Sequence, residues 1–407
     1  NAPRGGGLLP RTGSGPLKLT PMPLTPPSRR WGRGNDGVLA GGVAANTPKK
    51  GLGDGAAPKN RGRAQEFRNL SAAEASDQGD SPGRKVAAST TLREARMESE
   101  RNCPFELEGW LEFNRLKWNV QPCRVHYDTG SSAPALDAVL YLDRRGRIVQ
   151  PRLNSYLPVR FRATPTQKRY RLDRQWLQAA TSMAHDMHER GLRGTVSLSP
   201  QVTDARPWQW AGFRLGSMYT YHLDLPFDLE GADPQVGKAV AKAERTGYRV
   251  ESARDMALVL TPLLETEARQ EFHYSLSLRD LQKARDLLGE EHLRAYVCYA
   301  PDGRPASSRV VLCAAGGRAI DWVAGTCTED LHSGATQLTI ETVLRDLQDA
   351  GATGFDFAGA NIPSVASAKA NWGGRLVLQP TITTYNLRTL AQWFLGWYHY
   401  RRGPAKH

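Results

Sequence analysis

From about residue 104 onward the chain alternates stretches of helical and strand periodicity, and the clearest of them lies near its end. Leu338, Ile340, Val343, Leu344 and Leu347 recur at helical spacing, with Arg345, Asp346 and Gln348 on the outer side, and predict a helix over 334–350. Gly351 follows as a helix-closing glycine. Next comes Gly354-Phe355-Asp356-Phe357, short and aromatic, the composition of a partly buried strand. Upstream, the patterning predicts helices around 174–190, 234–246, 255–272 and 277–289. In the last of these, Leu278, Leu281, Ala284, Leu287 and Leu288 have the spacing of ordinary core packing.

The order of these elements occurs twice. In the first half, a strand and turn at Val139–Arg147 lead to the 174–190 helix, a Gly, the strand Thr195–Leu198, and a segment ending Trp210-Ala211-Gly212-Phe213. The second half runs from Val297–Arg304 to the 334–350 helix, Gly351, Gly354–Phe357 and Asn371-Trp372-Gly373-Gly374. Each copy closes on a β-rich stretch, Met218–Leu223 in one and Thr381–Tyr385 in the other. An internal repeat of this kind predicts two similar units, one over 104–228 and one over 233–407.

Residues 1–100 are crowded with Gly, Pro, Arg, Ala and Ser and lack an apolar period, so they cannot bury enough surface to offset chain entropy. They are expected to be a disordered basic tail or a misassigned upstream extension, with Met97 as a candidate start. The net charge of +13 over 407 residues favours polyanionic partners such as tRNA, nucleotide diphosphates or an anionic membrane surface, although arginine-rich proteins are often basic without binding anything. No DNA partner is expected. Cys103, Cys123, Cys298, Cys313 and Cys327 are odd in number and include no Cys-x-x-Cys pair, which suggests neither a disulfide framework nor a zinc site and fits a reducing cytoplasm. His185 and His188 share a helix face without a third ligand type nearby, so no metal is expected. No segment reads as a membrane span or a secretion signal.

The block Gly354–Gly374 carries the chemistry. It combines an aromatic-Asp-Phe strand, the Gly-rich turn Ala358-Gly359-Ala360-Asn361, a short helix bearing Lys369, and the aromatic-glycine pair Trp372-Gly373. This block resembles that of the FemAB group of peptidoglycan-precursor aminoacyltransferases, strongly over about 330–385 and mainly in element order over 104–330. BioF2-like acetyltransferases, which share the fold, are the nearest competitors. The resemblance implies an α+β fold of two tandem GNAT-like (acyl-CoA N-acyltransferase-like) units, mixed sheets flanked by helices, with a substrate groove between them. It also implies an acyl- or aminoacyltransferase that forms an amide on an amine acceptor, of which a peptidoglycan-type precursor is one kind. Aminoacyl-tRNA and acyl-CoA are the two candidate donors, and no other cofactor is implied. A cytoplasmic enzyme, with a peripheral position at the inner membrane face as an option, is the expected setting.

In that family the helix lysine stabilises the oxyanion that builds when an amine attacks an ester, and it falls on Lys369. Lys369 is also the only charged residue between Asp356 and Arg375, and the first repeat has Pro207 where it would stand. A solvated surface lysine is the plainer alternative. Ala368 replaces the family's aromatic residue before the lysine, which removes a stacking surface for a nucleotide base or acyl ester and counts against tRNA use. Asp356 has two readings: a general base with a pKa raised beside aromatic residues, or a strand carboxylate fixing the Gly359-Ala360-Asn361 turn. The candidate substrate-binding residues are Ser333, Gln337, Gly359, Asn361, Trp372 and Gly373, with Ser333 equally a plain helix cap. The stretch Thr328–Ala335 lacks the glycine-rich pyrophosphate loop of ordinary acetyl-CoA enzymes, and a silent binding module that keeps the fold is the reading from another class. The C-terminal run Leu390–Arg402, with Trp393, Phe394 and Trp397 beside Arg401 and Arg402, reads as a sheet-covering helix or a membrane-interface foothold.

Overall fold

The structure is a computed structural model and describes residues 102–128, 134–270 and 273–384. The basic tail, Met97 and the aromatic run at 390–402 lie outside the described residues. Helix α1 (Glu108–Trp118) precedes strands β1 (Gln121–Tyr127), β2 (Ala135–Leu142) and β3 (Val159–Arg162), which form a three-stranded antiparallel sheet. Helix α2 (Arg169–Arg190) buries Ala179, Ala180, Met183, Ala184 and Met187, a stripe at helical spacing, in one core with Leu136, Tyr141 and Trp208. After β4 (Val196–Ser197) and the short α3 (Arg206–Trp210) comes the long β5 (Arg214–Asp224).

Helix α4 (Pro234–Arg245) starts with Asp233 accepting the Gln235 N–H at 2.8 Å and with proline at its first position, where no N–H is missed. Strand β6 (Arg249–Ser252), α5 (Met256–Gln270) and α6 (Leu278–His292) follow. Ser277 and Asp280 form a reciprocal capping box that explains why α6 begins where it does. The chain then runs through β7 (Leu293–Tyr299), β8 (Pro305–Leu312) and β9 (Arg318–Thr326) to α7 (Ala335–Asp349), β10 (Gly354–Asp356), α8 (Pro363–Ala370) and β11 (Arg375–Thr383). The helices expected around 174–190, 234–246, 255–272, 277–289 and 334–350 are thus α2, α4, α5, α6 and α7.

A second sheet of eight strands has the order β4-β11-β5-β10-β9-β8-β7-β6 and is mixed, because β10 runs parallel to β9 but antiparallel to β5. Its middle crosses the repeat. The closing strand β5 of the first copy pairs with β10, while the closing strand β11 of the second pairs with β4, and the two closing strands pair with each other. Strand alternation then selects what shares a face: Asp356 is opposite His222, and His222 is opposite Arg375, so one row crosses β10, β5 and β11. Below the sheet, Val343, Leu344 and Leu347 of α7 pack with Phe355, Phe357 and Trp372. Near α1, the rings of Trp110 and Phe113 meet Trp322 edge-on at 5.3 and 5.5 Å.

Candidate active site

Strand β10 sits between β9 and β5 for only three residues, after which the chain bends away from β9. It keeps contact with β5, through Phe357 N–H to the Tyr221 carbonyl at 3.0 Å and Ala360 N–H to the Tyr219 carbonyl at 2.6 Å. At the bend Ala358 takes the left-handed region with φ of 50°, which an L-residue with a β-carbon adopts at a cost of about 1–2 kcal/mol. Two groups hold it there. The Asp356 Oδ1 accepts the Ala358 N–H at 2.9 Å, and the Lys369 ammonium donates to the Ala358 carbonyl at 3.3 Å.

Lys369 projects from α8, whose Pro363 opens the helix at the position that tolerates proline. Its ammonium also donates to the Gly359 carbonyl at 2.7 Å and to the Phe357 carbonyl. Three consecutive carbonyls therefore meet three N–H donors, and the ammonium is not left for bulk water. Burial lowers its pKa from the usual lysine value, with the Asp321 and Asp356 carboxylates acting against the shift and the Arg309 guanidinium reinforcing it.

Asp356 is 1% exposed. Its Oδ1 also accepts the Thr220 hydroxyl at 2.5 Å, and Thr220 in turn accepts the Gly359 N–H at 3.2 Å. The Oδ2 lies 3.3 Å from Nε2 of His222, an ion-pair distance that falls short of good hydrogen-bond geometry. Burial by itself would raise the Asp356 pKa; contact with His222 and its charge, then Thr220 and Ala358, outweigh burial and hold the carboxyl below the ordinary aspartate value. The raised pKa expected for a general base is thus reversed, because its neighbours are donors and an imidazole rather than aromatic faces alone.

His222 carries this arrangement to open space. Its ring lines a cavity of about 340 Å³ whose wall also includes Cys103, Tyr156, Ser199, Gln201, Thr203, Arg318, Arg375 and Val377. Burial pushes the Cys103 thiol up to about 12, so it is not a thiolate nucleophile at neutral pH. Arg318 is matched by Asp224 at 2.5 Å and by the Leu223 carbonyl. A second cavity of equal volume lies between β7 and helices α5, α6 and α7, but its guanidiniums are matched in place: Arg294 to Asp346 at 2.7 Å and Arg285 to Glu290.

Among the residues singled out from sequence, Lys369, Asp356, Gly359 and Asn361 come together. Asn361 bridges the turn to β5, accepting the Tyr219 N–H at 2.9 Å. Trp372 is buried in the core beside Phe357 and Phe227, with ring centroids 6.4 and 5.8 Å away. Gly373 has φ of 75°, and an added β-carbon would lie 2.4 Å from the Gly231 carbonyl oxygen. Ser333 and Gln337 stand instead at the start of α7. The N-cap of α7 is Gly334, not Ser333; the Ser333 hydroxyl, one residue earlier, donates to the Asp330 carbonyl at 2.8 Å and accepts the Ala335 N–H at 3.0 Å. Sequence reading missed His222, Arg375 and Tyr156. Alternation along Met218–Leu223 puts His222 on the face of Thr220, but nothing in the chain announces that Asp356 lies opposite.

No protein-family model matches the sequence, and no curated protein does. Among solved structures, FemX matches with a TM-score of 0.51 at 12% identity, covering 74% of this chain and 97% of its own. L-PGS from Bacillus licheniformis matches at 0.43 and 10% identity, with 66% and 86% coverage. A tandem GNAT protein from the clavulanic acid biosynthesis pathway matches at 0.33 and 17%, with 68% and 95% coverage. At such identities the likeness is one of architecture, and the chain has the fold seen in FemX.

Proposed function

We propose that the chain is an acyl- or aminoacyltransferase that forms an amide on an amine acceptor, with the reaction centred on His222. The observation that carries this reading is the Asp356–His222 pair: a fully buried carboxylate backs an imidazole that itself lines a cavity. An amine becomes a nucleophile only as it loses a proton, and a positioned imidazole is suited to accept it. The amine nitrogen bonds to the acyl carbon, the carbon's bond to the donor's ester oxygen or thioester sulfur breaks, and the proton passes through His222 to the leaving group. The Asp356 carboxylate, 3.3 Å from Nε2, backs the ring on the side away from the cavity.

Lys369 fits two parts in this scheme. It is a positioning residue for the Phe357–Gly359 turn, and it is an oxyanion donor if one of its three carbonyl bonds yields to the developing charge. Aminoacyl-tRNA is favoured over acyl-CoA as donor by the start of α7, where ordinary acetyl-CoA enzymes cradle a pyrophosphate. Here α4 lies over it: a β-carbon on Gly334 would stand 2.1 Å from the Ala239 carbonyl oxygen, and Lys242 donates to the His332 carbonyl at 2.7 Å. The amine of a peptidoglycan-type precursor is an acceptor of the proposed kind.

The test is to mix the purified chain with aminoacyl-tRNA or acyl-CoA and a panel of amines, and to follow amide formation by mass spectrometry. Transfer that disappears in His222→Gln supports the reading; no transfer from any donor overturns it.

A further inference from the structure

Among the described residues, the wall of the His222 cavity carries two guanidiniums and an imidazole and no carboxylate. Arg318 has its own counter-charge in Asp224, which lies outside that wall. Arg375 differs. It is exposed, and no side-chain hydrogen bond or ion pair joins its guanidinium to any described residue. It is the register partner of His222 on the neighbouring strand, so the two side chains share a face, with β-carbons about 4.5–5.5 Å apart as in any directly opposed antiparallel pair. A positive group without a counter-ion among the described residues, beside a proton acceptor, is arranged for a ligand that supplies the negative charge.

We propose, resting on the transferase reading above, that this cavity takes the acceptor and that the acceptor is an amino acid or short peptide bearing a carboxylate a few atoms from its reacting amine. Arg375 holds the carboxylate, which leaves the amine facing His222. The cavity's size supports this choice of occupant: about 340 Å³ is at the small end of ligand sites and suits an amino acid or dipeptide better than a nucleotide. The neutral wall groups, Ser199, Gln201 and Thr203, suit the amide of such a ligand. Arg375 acts here as a specificity-determining residue: a guanidinium can grip a carboxylate with two parallel N–H bonds, and a lysine cannot.

Binding is measured by calorimetry on the full chain with glycylglycine, glycylglycine amide and inorganic phosphate, in wild type, Arg375→Ala and Arg375→Lys. The expected result is at least about 10-fold tighter binding of glycylglycine than of its amide, abolished in Arg375→Ala and partly kept in Arg375→Lys. Phosphate binding more tightly than glycylglycine, with the same Arg375 dependence, would assign the site to a phosphate group and overturn the carboxylate acceptor. Equal affinity for acid and amide would also overturn it. This binding readout needs no turnover, so an absence of acyl transfer would sink the transferase reading while leaving an Arg375-dependent carboxylate site in place.

Discussion

The ammonium of Lys369 donates to the Gly359 carbonyl at 2.7 Å, ten residues earlier in the chain, and thereby ties α8 to the turn that follows Asp356. Removing that lysine strips the donor from three carbonyls at once. Lys369→Ala is therefore expected to lower stability by roughly 2–4 kcal/mol and turnover by about 10²-fold or more. Chemical denaturation and steady-state rates measured together check both effects. A large fall in turnover with unchanged stability would assign the lysine to the reacting oxygen rather than to the turn.

His222→Gln keeps a polar side chain of similar size but removes the proton acceptor. Turnover should fall about 10²–10⁴-fold, and the acidic limb of the pH profile should flatten, since that limb reports protonation of the base. An unchanged profile would mean that another group accepts the proton.

Asp356 titrates below its ordinary value of 3.8 in the folded chain, so the unfolded chain binds a proton first as pH falls. Stability from this carboxylate is fully present above pH 3.8 and is lost as pH drops through the lower, folded value. Asp356→Asn should remove this component: the gap in denaturation midpoint between variant and wild type at pH 7 should narrow at pH 3. A constant gap would show that the charge contributes nothing.

Gly373→Ala places a methyl 2.4 Å from the Gly231 carbonyl oxygen at a φ of 75°. A destabilisation of about 1–3 kcal/mol is expected. Because Trp372 beside it packs on Phe357, the change should also blue- or red-shift tryptophan emission, a readout separate from the melting curve.

The order of helices and strands was legible because amphipathic periods are local: the apolar stripe of α7 and its closing Gly351 specify that helix almost alone. Even Glu341, a charge inside that stripe, is buried there and pairs with Arg345 one turn on. Lys369 stood out by its isolation among uncharged residues, yet its surroundings did not. Three carbonyls face it only because Ala358 takes a left-handed conformation that alanine seldom prefers. His222 was invisible for a different reason. Its value depends on register with Asp356 and Arg375, and pairing between strands more than a hundred residues apart leaves no local pattern.

The exchanged closing strands, β5 against β10 and β11 against β4, make each repeat the template on which the other is completed. A gene cut between the repeats would yield two fragments, each with unpaired strand edges and prone to aggregate alone. Expressed together, they should reassemble by mutual strand donation, and only the pair should recover the row from Asp356 to Arg375. Such an exchange leaves two halves that cannot separate without breaking the row from Asp356 through His222 to Arg375.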